Sequence, residues 1–170
     1  MDRRKFLGVG LAAFAAIVAP GTDLMAIDFR ATKPKAWEIE KTVDGIKALY
    51  GSGGLKKSGI EFKAPKLAEN GGSIPITIKS KLDLESIALF QDANPRCLTC
   101  VFSIPEGAII EYDIRIKMRQ TAFVTVVGKV RGSGELVMAT KEIDVSIGGC
   151  GGWFTHLSHK YKYRNKQKKY

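Results

Sequence analysis

A mainly β fold, an immunoglobulin-like antiparallel β-sandwich preceded by one N-terminal amphipathic α-helix, is predicted by three features of the sequence. From Ile60 onward apolar and polar residues alternate with period two. Turn-forming clusters interrupt that alternation every ten residues or so, at roughly the spacing of a sandwich. Ahead of both lies one stretch with helical apolar spacing. The chain has 170 residues, enough for one domain with a sizeable core and too few for a large multidomain enzyme. A hydrophobic fraction of 45%, a charged fraction of 26% and a mean hydropathy of −0.06 are ordinary globular values and exclude a polytopic membrane protein.

The elements follow in order. Met1-Asp2-Arg3-Arg4-Lys5-Phe6-Leu7 leads into an apolar run from Val9 to Ala19, broken at Pro20-Gly21. That order reads as a signal peptide over 1–26 with Ala26 as the cleavage site, and its paired arginines resemble the twin-arginine type that exports folded proteins. A run of 11 apolar residues falls short of the ~20 that cross a bilayer, so no transmembrane anchor is expected and the mature protein is placed in the periplasm. Pro34 suits a first helical turn, and Trp37, Ile39, Val43, Ile46, Leu49 and Tyr50 give near-helical spacing until Gly51, predicting one amphipathic helix over 34–50. The sandwich is expected over 60–147, with strands at 60–67, 74–78, 86–91, 98–104, 110–118, 122–129, 135–140 and 142–147. The clearest is Ile110, Tyr112, Ile114, Ile116 and Met118 against Glu111, Asp113, Arg115, Lys117 and Arg119. Asn70-Gly71-Gly72, Asp92-Ala93-Asn94-Pro95, Pro105-Glu106-Gly107 and Gly132-Ser133-Gly134 supply the turns.

The formal charge of +10 is unevenly spread. Residues 1–26 carry +1 and residues 153–170 carry +6, which leaves +3 for the body. Charge therefore gives the body no case for nucleic acid, and export argues further against it. His156 and His159 are the only histidines, both in the tail, so the body lacks an imidazole for a serine or cysteine nucleophile. No phosphate-cradling glycine loop and no acidic cluster for calcium or magnesium appears. No cofactor and no metal site is expected. A zinc site joining the cysteines to His156 and His159 is a minor reading, because the HxxH gap is tighter than usual.

Cysteine is the chemistry that remains. Three thiols are an odd number for an oxidising compartment, so at least one is free, bound or paired between chains. Cys150 follows the last alternating strand and is flanked by Gly148, Gly149, Gly151 and Gly152. Glycines remove bulk and widen the backbone choices, and five extended residues reach about 17 Å. Two readings stand on spacing alone: a carrier thiol on an arm over 148–152, or a glycine-rich connection whose Cys150 pairs with Cys97 or Cys100.

Val145-Ser146-Ile147-Gly148-Gly149-Cys150-Gly151-Gly152 resembles the carrier-cysteine motif of the SoxY family, the sulfur-carrier subunit of the bacterial thiosulfate-oxidising Sox system. The likeness extends upstream through Ala68-Glu69-Asn70-Gly71-Gly72-Ser73-Ile74-Pro75-Ile76, Asn94-Pro95-Arg96 and Asp113-Ile114-Arg115-Ile116. The resemblance implies a non-catalytic carrier that pairs with the immunoglobulin-like SoxZ subunit. It implies that Cys150 holds thiosulfate as a thiosulfonate while separate enzymes load it, hydrolyse off sulfate and oxidise the sulfane sulfur. Gly148, Gly149, Gly151 and Gly152 then form the swinging arm. Two departures stand out. The family motif normally ends the chain, whereas Trp153 to Tyr170 continue here; either a partner pocket is open at its far end, the arm enters as a hairpin, the tail is trimmed, or this copy has altered function. The second departure is Cys97-Leu98-Thr99-Cys100. Without a βαβ context this CxxC is not a thioredoxin-like site. Residues three apart on a strand face opposite sides, so no Cys97–Cys100 disulfide is expected; Cys100 is read as a core residue on the face of Leu98, Phe102 and Ile104.

The alternative from another functional class is an immunoglobulin-like interaction module with structural cysteines. Its tail, 153–170, would bind a membrane or protein through interleaved tyrosines and bases.

Overall fold

The computed structural model describes residues 26–147. Among these residues nine strands form two sheets: β1 (Leu55–Lys56), β2 (Ile60–Lys63), β3 (Leu67–Asn70), β4 (Ile74–Ser80), β5 (Leu84–Gln91), β6 (Leu98–Ser103), β7 (Ile110–Ile116), β8 (Ala122–Val130) and β9 (Leu136–Ile147). The smaller sheet runs β2-β4-β7. The larger runs β1-β9-β8-β5-β6, with β3 also on β9. This is the mainly β, immunoglobulin-like sandwich the alternation predicted, with a helical segment before it. Ile74, Ile76 and Ile78 from one sheet meet Ile87, Leu89, Val124, Val126 and Ile143 from the other in the central core. Each fully buried side chain of this size stabilises the fold by roughly 1.5–3 kcal/mol.

β5 is buried on both faces because a second layer covers it. Ala88, Phe90, Leu98, Val127 and Leu136 pack under Ile46 and Leu49 of the helical segment. The single helix expected over 34–50 is in fact broken. A 3-10 turn, Pro34–Trp37, and the helix α2, Thr42–Tyr50, flank a non-helical stretch, and a short helix α1, Phe29–Thr32, precedes both. The break has a tertiary cause: the Ile39 carbonyl accepts a hydrogen bond from the Cys97 amide at 2.9 Å, which a continuous helix would have claimed. Val43, counted in the apolar face, is 63% exposed, since the contact face of α2 is Gly45, Ile46 and Leu49.

Strand boundaries also shift. The strand expected over 60–67 ends at Lys63, and after Pro65, which has no amide proton to donate, the chain resumes as β3 in the other sheet. The two strands expected over 135–140 and 142–147 are one twelve-residue β9, because Thr140-Lys141 contains no turn former. β1 pairs only Leu55 with Leu136 and Lys56 with Val137, too short a run for any periodicity to reveal. β1 and β3 both join β9 in parallel, an addition to the antiparallel ladders of the sandwich.

Candidate functional site

β9 pairs with β8 from Leu136 to Ile143, opposite Lys129 to Ala122, and there β8 stops. The last four residues of β9 change partner. Asp144 lies opposite Leu67, Val145 opposite Ala68 and Ile147 opposite Asn70, in parallel. The Asp144 amide donates to the Lys66 carbonyl at 2.9 Å, and the Val145 amide donates to Thr121 Oγ1, also at 2.9 Å. Val145 is half-buried and Ala68 beneath it is buried. The chain is thus gripped on both edges up to the residue before Gly148. Gly148, Gly149, Cys150, Gly151 and Gly152 lie outside the described residues, as do residues 1–25 of the signal peptide expected over 1–26 and the tail over 153–170, which holds both histidines.

The segments that carried the family likeness converge around this strand end. β3 leads into the Asn70-Gly71-Gly72 turn, closed by the Gly72 amide donating to Asn70 Oδ1 at 2.7 Å. The Gly71 carbonyl accepts from the Met118 amide at 2.8 Å, which ties the turn to the β7–β8 connection. Asn94 ties in a third loop, because its Nδ2 donates to the Lys117 carbonyl at 3.0 Å and its Oδ1 accepts from the Arg119 amide at 3.3 Å. Gln91 Nε2 reinforces the tie with bonds to Thr99 Oγ1 and the Lys117 carbonyl. Residues 113–116 pair with 74–77 directly below. Thr121, Lys66 and Gln91 were not singled out in the sequence. A threonine ending a loop and a glutamine closing a buried strand carry no pattern until the neighbouring loops are placed.

The other two thiols are folded away. Cys97 is 0% exposed, in the helix-covered layer against Gly45 and Phe90, and Cys100 is half-buried against the central core. Both are free thiols. Cys100 does share the core side with Ile104, but Leu98 does not: the β5–β6 register slips between Leu89 and Phe90 and passes over Thr99, turning Leu98 to the helix side. Burial pushes the Cys100 thiol up to about 11. The Cys97 thiol is also raised, by burial first and then by the Asp92 carboxylate. Neither is a nucleophile near neutral pH. Among the described residues no group of three or more His, Cys, Asp or Glu side chains converges as a metal site would require, and no helix is long and apolar enough to cross a membrane.

The family model described as sulfur oxidation protein SoxY matches residues 46–150, more than half of the chain. Among solved structures, the sulfur carrier protein SoxY from Chlorobium limicola f thiosulfatophilum is 31% identical with a TM-score of 0.57, covering 65% of this chain and 96% of its own. A superoxide reductase (neelaredoxin) from Ignicoccus hospitalis is 14% identical with a TM-score of 0.47, covering 52% of this chain and 80% of its own, a likeness that says nothing about chemistry. No curated protein matches. On the match over residues 46–150, with the sandwich and its preceding helix, the chain belongs to the SoxY family of sulfur carriers in thiosulfate oxidation.

Proposed function

We propose that this protein carries thiosulfate-derived intermediates on the Cys150 thiol and presents them to partner enzymes without catalysing a reaction itself. The observation that carries the reading is the anchored end of β9: strand pairing and the Thr121 bond hold the backbone up to the residue preceding Gly148. A thiol three residues further on, flanked by glycines, has a fixed root and free reach. The family match runs through residue 150, and the burial and raised pKa of Cys97 and Cys100 make them poor competitors. Loading forms a sulfur–sulfur bond between Cys150 and thiosulfate. It releases the thiol proton and passes two electrons to the loading enzyme. In this reading residues 60–147 are the carrier body and Gly148, Gly149, Gly151 and Gly152 the swinging arm. SoxZ is the heterodimer partner, and loading, sulfate-hydrolysing and sulfane-oxidising enzymes act on the arm in turn. The signal peptide over 1–26 sends the protein to the periplasm by the twin-arginine route.

Intact mass after incubation with thiosulfate and the loading enzymes tests this directly. One thiosulfate should add to the wild type and none to Cys150→Ser, because a hydroxyl cannot form the sulfur–sulfur bond. Loading that survives Cys150→Ser but is lost in Cys97→Ser would assign the carrier to the wrong thiol. Alkylation of the native protein adds a pH readout. A thiol whose pKa is raised to about 11 is ionised in only about one molecule in a thousand at pH 8, so Cys100 should stay unmodified until the pH climbs well above 9. Cys150 should react first. Deleting 153–170 should preserve or improve loading if the tail obstructs pocket entry. A loss that matches the salt sensitivity of the full chain would instead make the tail's six positive charges a docking element.

A further inference from the structure

The smaller sheet ends in β7, and among the described residues no strand pairs with its outer edge. β7 is seven residues long, regular along β4 and free of proline, glycine and bulges. Such an edge lacks proline and bulges, two of the devices by which proteins discourage further pairing; the device it does carry is a row of charges. The neighbouring edge strand, β6, is interrupted: its register slips at Thr99.

The charges on β7 are ordered. Its outward row reads Glu111, Asp113, Arg115, and then Lys117 one residue past the strand, two acids followed by two bases. Contacts to the next strand hold the row in place. Lys79 pairs with Glu111, Thr77 Oγ1 donates to Asp113 at 2.6 Å, and Arg115 donates to Ser73 Oγ at 3.3 Å. Inverted about Ile114, the row is complementary to itself. An antiparallel copy with Ile114 opposite Ile114 sets Asp113 against Arg115 and Glu111 against Lys117, each twice. On the inner face it sets Tyr112 against Ile116. The pleat allows only registers centred on a residue, since opposite residues must share a face. Centring on Asp113 puts an acid against itself, on Arg115 a base against itself, and on Tyr112 two acids together. One register is favoured.

We infer that the outer edge of β7 is a self-recognition surface, on which a second copy of this chain pairs antiparallel about Ile114 and joins the two three-stranded sheets into one of six strands. The interface is two-fold and self-complementary. It uses no residue of the arm, so it stands apart from the carrier reading.

Sedimentation of the full chain under reducing conditions, where no Cys150 disulfide can link copies, tests it. The wild type should dimerise at micromolar concentrations, and high salt should weaken the dimer. Arg115→Glu sets acid against Asp113 twice and should weaken it about ten-fold or more. Lys117→Glu, beyond the strand and harmless to its folding, should weaken it in the same direction. The decisive variant is Asp113→Arg with Arg115→Asp, which reverses both partners and should restore the wild-type constant to within about three-fold. A wild type still monomeric at about 100 µM, a dimer indifferent to the single variants, or a swap that fails to rescue would each overturn the proposal. So would a monomer that binds a different subunit through this edge, losing that subunit on Arg115→Glu, for the edge would then belong to that partner.

Discussion

Gly45 shows how one residue sets the distance between the helical layer and the sheet. A Cβ built there would stand 2.5 Å from Cys97 Sγ and 3.2 Å from Phe90 Cε1, both in the packed layer beneath α2. Alanine would gain about 1 kcal/mol of helix propensity, but overpacking costs roughly 1–3 kcal/mol. Because the sulfur and the ring sit on rigid neighbours, the clash should win. Gly45→Ala is expected to lower stability by about 1 kcal/mol in urea unfolding. Adding Cys97→Ala removes the nearer obstruction, so the double variant should be less destabilised than the sum of the singles by about 1 kcal/mol. Strict additivity would show that the thiol is not the obstacle. The odd count of cysteines and the glycine-flanked Cys150 were visible in the sequence. The position of Cys97 was not, because it depends on a bond to Ile39 more than fifty residues away in sequence.

At the scale of elements, the end of β9 is held by a side chain from a loop. Thr121→Val keeps the shape of the side chain and deletes the acceptor of the Val145 amide. The loss should be about 1 kcal/mol, which corresponds to roughly five-fold faster hydrogen exchange at Val145 with the rest of the sheet unchanged. Unaltered exchange at Val145 would show that β3 alone secures the strand end. β7 and β8 were legible from alternation to within two residues at their ends. β1, β3 and the broken helix were not. Two- and four-residue strands contain too little period to detect, and the helix breaks at Ile39 because a distant amide recruits its carbonyl.

Across the whole molecule, one side chain closes the pole of the sandwich away from the end of β9. There Arg131 Nη2 donates to the Ile104 carbonyl at 2.6 Å and to the Leu84 carbonyl at 3.2 Å, while its Nε reaches Asp83 Oδ1 at 3.1 Å. One guanidinium thus fastens the ends of β5, β6 and β8. Arg131→Met leaves both carbonyls without this donor and should cost about 1–3 kcal/mol, read as a lower melting temperature. Arg131→Lys, lacking the planar fork, should recover only part of it. Thiosulfate loading, measured well below the melting temperature, should stay at the wild-type level in both. A loading defect with an intact fold would show that the poles are coupled.

By itself the sequence determined the class of the fold and the order of its main strands, and it singled out the glycine-flanked Cys150 that we propose as the carrier thiol. Those follow from local chemistry: alternation sets which face of a strand is buried, turn formers end strands, and glycines flanking a cysteine free its backbone. Tertiary structure alone decided that Ala68–Asn70 and Thr121 grip the end of β9, that Leu98 and Cys100 face opposite layers, and that β7 rather than β6 presents a clean edge. Each of these depends on which distant backbone groups meet, and a hydrogen bond between residues far apart in sequence leaves no period behind it.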